Sequence, residues 1–343
     1  WYYSAHFTVS NVQFDRTDRN YYIRERIADV VARGQFNFFD PEATPEQVWD
    51  YISPESRNRS DSDLWQATAT IGRSLAELPG GPLQVAAGVA YRHESVDAPS
   101  GNPAVDPITG NQLDRYLSLN AVSTTGSRNV FSAFGEIGAP IVDMLELQLS
   151  GRYDEYSSGQ SAFSPKVGAK FTPIPQLAIR GTWSKGFRIP SFNEAFGLPT
   201  TGYVSQGGGT FCDTYAAFCA AHGDNAYASQ SFSVGLTNIG NPDLDPERSE
   251  SITIGAIFEP IRNVSFTVDF WRIKVKGLIV GVTNIGPILE QYYSNNGAVN
   301  IPGFNVIPGT PDPANPDALP HIGFIVGKYA NANNQLVQGI DFA

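Results

Sequence analysis

Trp65-Gln66-Ala67-Thr68-Ala69-Thr70-Ile71-Gly72-Arg73-Ser74-Leu75 decides the class of fold. In an extended chain Trp65, Ala67, Ala69 and Ile71 fall on one side, and Gln66, Thr68, Thr70 and Gly72 on the other. The turn residues Leu78-Pro79-Gly80-Gly81-Pro82 follow. Over 83–92 the alternation resumes, with Val85, Ala87, Val89 and Tyr91 opposing Gln84, Ala86, Gly88 and Arg92. It returns at 145–154, where Leu145, Leu147, Leu149, Gly151 and Tyr153 oppose Glu146, Gln148, Ser150, Arg152 and Asp154. It returns again at 264–271, with Val264, Phe266, Val268 and Phe270 against Ser265, Thr267, Asp269 and Trp271. Weaker versions lie at 2–10, 129–138, 166–172, 177–185 and 249–258. The spacing predicts roughly ten strands of about ten residues, the segment length of an outer-membrane barrel.

Composition narrows the class further. The 343 residues carry a net charge of −11, which argues against a nucleic-acid surface. Charged residues make up 17%, below the ~25% usual in soluble domains, and aromatics reach 12%. No apolar run approaches the ~18 residues of a membrane helix. The predicted fold is an all-β, antiparallel transmembrane barrel, with a soluble β-protein as the alternative. Trp65, Tyr91, Tyr153 and Trp183 sit near segment ends, where a membrane-interface girdle places aromatics. Arg152, Asp154, Lys166, Lys170 and Arg180 fall on the polar faces and are expected to line the lumen as a salt-bridge ladder. The chain starts at Trp1 and closes on Gly339-Ile340-Asp341-Phe342-Ala343, which reads as a strand just beginning. It is therefore treated as a piece of a longer protein.

The connections alternate in length. Short turns are expected at 79–82, 139–144, 173–176 and 260–263. Long excursions are expected at 11–62, 96–127, 188–246 and 277–337, with a shorter one at 155–163. A membrane barrel has short periplasmic turns and long extracellular loops. Inside the excursions, Ile23, Ile27, Val30 and Val31 have helical spacing. Thr44-Pro45-Glu46-Gln47 reads as an N-cap, a proline at N1 and a capping-box Gln. A short helix is expected over 287–293, and an irregular loop over 301–320.

Cys212 and Cys219 are the only cysteines and are read as a loop disulfide. Free thiols are the alternative; two thiols with His222 alone are a poor metal site. Asp243-Leu244-Asp245-Pro246-Glu247 is read as a turn into the next strand rather than a calcium loop, because it lacks the EF-hand register. His6, His93, His222 and His321 are scattered and form no zinc motif. Gly207-Gly208-Gly209 has no following Lys, and no nucleophile elbow is present. The sequence gives no reason to expect an enzyme, a metal or a cofactor.

Four stretches resemble one family. Trp183-Ser184-Lys185-Gly186-Phe187-Arg188-Ile189-Pro190-Ser191-Phe192 is similar to the YSKGFRAPS segment of TonB-dependent outer-membrane receptors. Asn241-Pro242-Asp243-Leu244-Asp245-Pro246-Glu247-Arg248-Ser249 is similar to their NPxLxPExS segment. Phe270-Trp271-Arg272-Ile273-Lys274-Val275-Lys276 resembles their YWRIxIKD strand end, with Gly277 in place of the acidic residue. Gly339-Ile340-Asp341-Phe342 resembles a GIDF strand start. Phe36-Asn37-Phe38-Phe39-Asp40-Pro41 and 44–47 resemble a large extracellular loop of the big proteobacterial subgroup.

The resemblance implies a middle section, residues 1–343, of a plugged barrel of about 22 strands, with plug and last strands outside it. It implies location in outer-membrane lipid and uptake of a ferric siderophore, cobalamin or an oligosaccharide. Energy would come from TonB with ExbB and ExbD. The aromatic residues expected to meet ligand are Tyr203, Phe211, Tyr215, Tyr227, Tyr292 and Tyr293; the alternative is that they pack on one another. A passive porin is the competing function, and it would lack the first two motifs.

Overall fold

The computed structural model describes residues 1–104 and 112–343. Residues 105–111 of the expected 96–127 excursion lie outside the described residues. The alternating segments form one antiparallel sheet of ten strands. In chain order, its first seven are β1 (Tyr2–Asp18), β2 (Ser56–Leu78), β3 (Gly81–Ala98), β4 (Thr124–Val142), β5 (Leu145–Tyr156), β6 (Ser161–Ile174) and β7 (Leu177–Arg188). The next two short strands, β8 (Thr200–Gln206) and β9 (Phe232–Ile239), leave the sheet. It resumes with β10 (Glu247–Ile261) and β11 (Val264–Val280). β12 (Phe304–Pro308) and β13 (Ile322–Lys328) leave it again, and β14 (Ala330–Phe342) completes the ten. Among the described residues, β1 and β14 are the two edges of this sheet.

The connections at one end are two-residue turns: 79–80, 143–144, 175–176 and 262–263. Asn263 sits at φ 68, the left-handed conformation that Asn tolerates best after Gly. Gly80 is required by contact: a Cβ there would lie 2.5 Å from the Val142 carbonyl carbon of the neighbouring turn. At the other end the connections are long, but shorter than the sequence suggests. β1 runs to Asp18 rather than stopping at residue 10, and β2 begins at Ser56 rather than near 63. Ser10–Asp18 pair with Ser56–Leu64 although both are polar. In a membrane barrel, apolar alternation is required only where a strand meets lipid, and a ladder beyond that band needs only its backbone hydrogen bonds. The 23 residues of β2 span roughly 75 Å at ~3.3 Å each, far more than the ~25 Å apolar band of a barrel. The other excursions shorten likewise, to 99–123, 157–160, 189–246 and 281–329.

Cross-strand register fixes the faces. Ala5, Ala69, Val89, Ala133, Tyr153 and Phe163 form one row, and Phe7, Ala67, Tyr91 and Phe131 another. These rows are the exposed apolar face: Val89, Phe131, Phe163 and, farther round, Leu149, Phe266 and Val268 all lie open. Phe7, Trp65 and Tyr91 form an aromatic belt, with ring centroids 6.4 and 5.4 Å from Trp65. On the opposite face stand charged side chains in pairs. Arg152 Nε meets Asp154 Oδ1 at 2.8 Å, and Ser132 donates to the same carboxylate at 2.6 Å. Arg180 Nη2 meets Asp269 Oδ2 at 2.6 Å. The ladder is incomplete, because Lys166 and Lys170 make no ion pair among the described residues.

The β1–β2 loop holds α1 (Arg24–Ala32) and α2 (Glu46–Ile52), which pack through Ile23, Val30 and Ile52. The capping-box expectation at 44–47 is corrected. Pro45 occupies the N-cap, no side chain caps the helix, and Thr44 Oγ1 instead accepts from the Asn37 N–H at 3.1 Å. Asn102 ties down the β3–β4 loop: its Nδ2 donates to the Tyr116 carbonyl and its Oδ1 accepts from the Tyr116 N–H.

Candidate functional site

The base of the long-loop end is built by two of the motifs quoted above. Arg188 closes β7 and Glu247 opens β10, and the two are register partners. The guanidinium forks onto Glu247 (Nη2 to Oε1 2.5 Å, Nε to Oε2 3.0 Å) and onto Glu194 (Nη1 to Oε2 2.8 Å). Planar bidentate recognition of this kind suits arginine and not lysine. Glu194 lies in α3 (Phe192–Phe196), whose N-cap Ser191 forms a complete capping box with it. Burial pushes the Glu194 carboxyl up. The Arg188 fork and the Ser191 bonds more than offset this, so it ends below its ordinary value. Asp243–Pro246 form the turn delivering Glu247, with Leu244 buried beneath.

Above this base the two longest loops fold into one module. β8 and β9 come from the β7–β10 loop, and β12 and β13 from the β11–β14 loop. They join in one sheet, β12-β13-β9-β8, through a parallel β9–β13 pairing. Four short helices cover it: α4 (Phe211–Thr214), α5 (Ala216–Ala221), α6 (Ala226–Ser229) and α7 (Gly286–Ser294). Helix α7 contains the expected 287–293 helix. The expected irregular loop 301–320 is in part a strand, since 304–308 is β12. The module core is apolar and well closed, with Cys219, Val234, Ile288, Ile322 and Ile325 buried. Cys212 and Cys219 meet with sulfurs 2.08 Å apart, a disulfide joining α4 to α5.

The structure brings five of the six expected aromatics into or against this core. Phe211 packs edge-on to Phe218, Phe232 and Tyr293, and Tyr215 lies 4.9 Å from Tyr293. Tyr292 and Tyr293 are 1% and 7% exposed. The Tyr292 hydroxyl donates to the Pro320 carbonyl, and that of Tyr293 lies 3.4 Å from His321 Nδ1. Tyr227 donates to the Thr310 carbonyl at 2.7 Å. Tyr203 differs: it stands on β8, 66% exposed, with its ring 6.3 Å from Phe324. Tyr203 is thus open to solvent, whereas Tyr292 and Tyr293 are enclosed within the module.

Three residues outside the expected ligand-contact set organise the interior. His321 stacks on Phe232 at 3.6 Å and on Tyr227 at 4.6 Å, and its Nε2 is 2.6 Å from the Tyr227 carbonyl. Burial pushes its pKa down, keeping it neutral among the rings. His222 is fully enclosed, with Nδ1 2.9 Å from Asp312 Oδ2 and Nε2 3.0 Å from the Leu319 carbonyl. Asp312 is held well below the usual carboxylate range. The Asn315 amide acts first, then Asn225, His222 and the Ala314 N–H, against the cost of burial. Burial also raises the phenols, Tyr292 to about 12 and Tyr293 further. At neutral pH these tyrosines are uncharged donors and packing surfaces, suited to holding a shape or an aromatic ligand.

The family model described as TonB dependent receptor-like, beta-barrel, matches residues 1–342. No curated protein sequence matches the chain. Among solved structures, a mutant of the ferric enterobactin receptor of Pseudomonas aeruginosa in complex with enterobactin superposes with a TM-score of 0.57 at 13% identity. That match covers 99% of this chain and 38% of the other. The siderophore receptor PirA of Acinetobacter baumannii gives 0.53 at 14% identity, covering 98% and 39%. PirA of Pseudomonas aeruginosa gives 0.51 at 15%, covering 84% and 41%. The chain thus spans about two-fifths of the length of these structures. At such identities the likeness is one of fold.

Proposed function

This chain belongs to the family of TonB-dependent receptor β-barrels, and from that premise we propose that it forms part of an outer-membrane receptor for active uptake of a scarce small ligand. The observation that carries the reading is the asymmetry of the sheet. One end has only two-residue turns; the other carries a folded, aromatic-rich loop module. A passive channel has no use for a packed module at its mouth, whereas a receptor needs a preorganised surface that holds ligand without paying to order a loop.

In this reading the barrel, closed by further strands, surrounds a plug domain. TonB, with ExbB and ExbD, acts on that plug from the periplasm. Tyr203 presents an aromatic surface to the ligand, while Phe211, Tyr215, Tyr227, Tyr292 and Tyr293 fix the shape behind it. The Cys212–Cys219 bridge holds α4 and α5 in that shape. Ferric siderophores, cobalamin and oligosaccharides are the candidate classes.

The test uses the full-length protein in whole cells, offered ferric siderophores, cyanocobalamin and maltodextrins in turn. Saturable uptake of one class, abolished by a protonophore, is expected. Uptake that does not saturate and survives the protonophore assigns a passive channel and defeats the proposal.

A further inference from the structure

The register of β7, β10 and β11 sets out a second surface, on the outside of the wall. Leu177, Phe258 and Phe266 share a row, as do Ile179, Ala256 and Val268, and both belong to the apolar face. Following the same face towards the long loops, past the row of Gly181, Ile254 and Phe270, the rows change character. Trp183, Ile252 and Arg272 form one, Lys185, Glu250 and Lys274 the next, and Phe187, Arg248 and Lys276 the last. Five cations therefore stand on three adjacent strands in three successive rows. Strands are ~4.8 Å apart and same-face rows ~6.7 Å, so the patch measures roughly 10 by 13 Å.

Two observations separate this patch from ordinary surface charge. First, none of the five cations makes an ion pair among the described residues, in a chain whose net charge is −11. The inward arginines of these very strands do pair: Arg180 with Asp269, Arg188 with Glu194 and Glu247. The one carboxylate in the patch, Glu250, accepts from the Trp183 indole N–H at 3.0 Å. Second, the patch is a groove and not a convex face. Lys185, Arg248, Lys274 and Lys276 line it together with Glu250 and the rings of Phe163 and Phe187, so cations outnumber the carboxylate four to one. Cations above, aromatics beside them and an apolar wall below match a molecule with a phosphorylated head and hydrocarbon tails. Unpaired cations at a membrane surface attract anionic head groups, and Trp183 marks the interface depth.

We propose that this outward groove binds the phosphate head group of an acylated, anionic lipid of the outer leaflet. The inference rests on the outer-membrane reading above. It assigns Lys185, Arg248, Lys274 and Lys276 to the phosphate and Phe163 and Phe187 to the first carbons of the tails.

The full-length protein, purified in detergent, is loaded with diphosphoryl lipid A, with phosphatidylcholine or with inorganic phosphate, and bound lipid is counted by native mass spectrometry. The variant Lys185→Gln/Lys276→Gln removes two outward charges; Lys166→Gln/Lys170→Gln removes two inward ones. Lys185→Arg/Lys276→Arg, with heat-modifiable migration, checks that the barrel still folds. The parent, the inward variant and the arginine variant retain lipid A, and the outward variant retains at least tenfold less. Phosphatidylcholine is not retained, and millimolar inorganic phosphate does not displace lipid A. Equal losses in the outward and inward variants, or no loss in either, overturn the site. Displacement by inorganic phosphate alone makes it a free-phosphate site and overturns the lipid assignment. Ligand uptake is measured on the same variants: loss of protonophore-sensitive uptake in the parent with lipid retention intact sinks the receptor reading and leaves this one standing.

Discussion

Arg188 shows how much one residue can organise. Its guanidinium joins β7, β10 and α3, and Glu247 also accepts from the Ile279 N–H on β11 at 2.8 Å. A lysine there keeps a cation but loses the fork that reaches both carboxylates. Arg188→Lys is expected to cost about 1–3 kcal/mol, because one ammonium cannot serve both acceptors. A double-mutant cycle with Glu247→Gln in chemical unfolding checks this; additive effects would show that the pair is not coupled. Lipid exposure is testable at the same scale. Leu149 lies between Ile137 and Val167 on the open apolar face, and the neighbouring Gln148 donates to Glu136 on the other face. Leu149→Arg is expected to cost about 2–4 kcal/mol near the midplane, and Gln148→Arg much less. Urea unfolding from bilayers measures both, and equal costs would reverse the faces. Asp312 supplies the pH dependence. Its pKa is lowered in the folded module, so the stabilisation is complete above the unfolded value of ~3.9 and is lost as pH falls below it. Hydrogen exchange over 222–229 and 310–325 should accelerate below about pH 4, while β3–β7 stay protected. Asp312→Asn should remove that acid-dependent step.

At the scale of elements, the strands were legible and the loop module was not. In a membrane barrel, lipid on one side and a polar lumen on the other select residues at period two, and β2, β3 and β5 carry that pattern. Their alternating portions were thus visible at 65–75, 83–92 and 145–154. Ser10–Asp18 and Ser56–Leu64 escaped, because a ladder in water imposes no such selection. The module strands escaped for another reason. In β13, Ile322, Ile325 and Gly327 are buried, a spacing no strict alternation matches, and its parallel partner β9 lies about ninety positions earlier. The motif residues Arg188 and Glu247 were found through resemblance, and their contact came only with the fold. His222 and Asp312, 90 positions apart, have nothing local to mark them. The disulfide ties α4 to α5 within the loop module and touches no strand of the ten-stranded sheet among the described residues. Its short ring gives at most about 3 kcal/mol in the loop-entropy picture, and the sheet is held by its own ladder. Cys212→Ser/Cys219→Ser should leave heat-modifiable migration of the barrel intact while weakening ligand binding. Unchanged affinity, read by titration, would detach the bridge from ligand capture.

For the whole molecule, the decisive property is sidedness, with every two-residue turn at one end of the sheet. Asn295→Cys, after α7, should react with an impermeant thiol reagent on intact cells, and Asp143→Cys, in the β4–β5 turn, should not. Asp143 is the better probe because Gly80 has no room for a Cβ. Reaction at Asp143 alone would invert the orientation. The parallel pairing of β9 with β13 has a further consequence for anything that meets the protein from outside. The surface offered there is a mosaic of two stretches, one before β10 and one after β11, joined edge to edge. An antibody raised on the folded protein would see a discontinuous epitope and fail on a blot of the denatured chain. A serum raised on a synthetic peptide from either stretch would fail on the living cell.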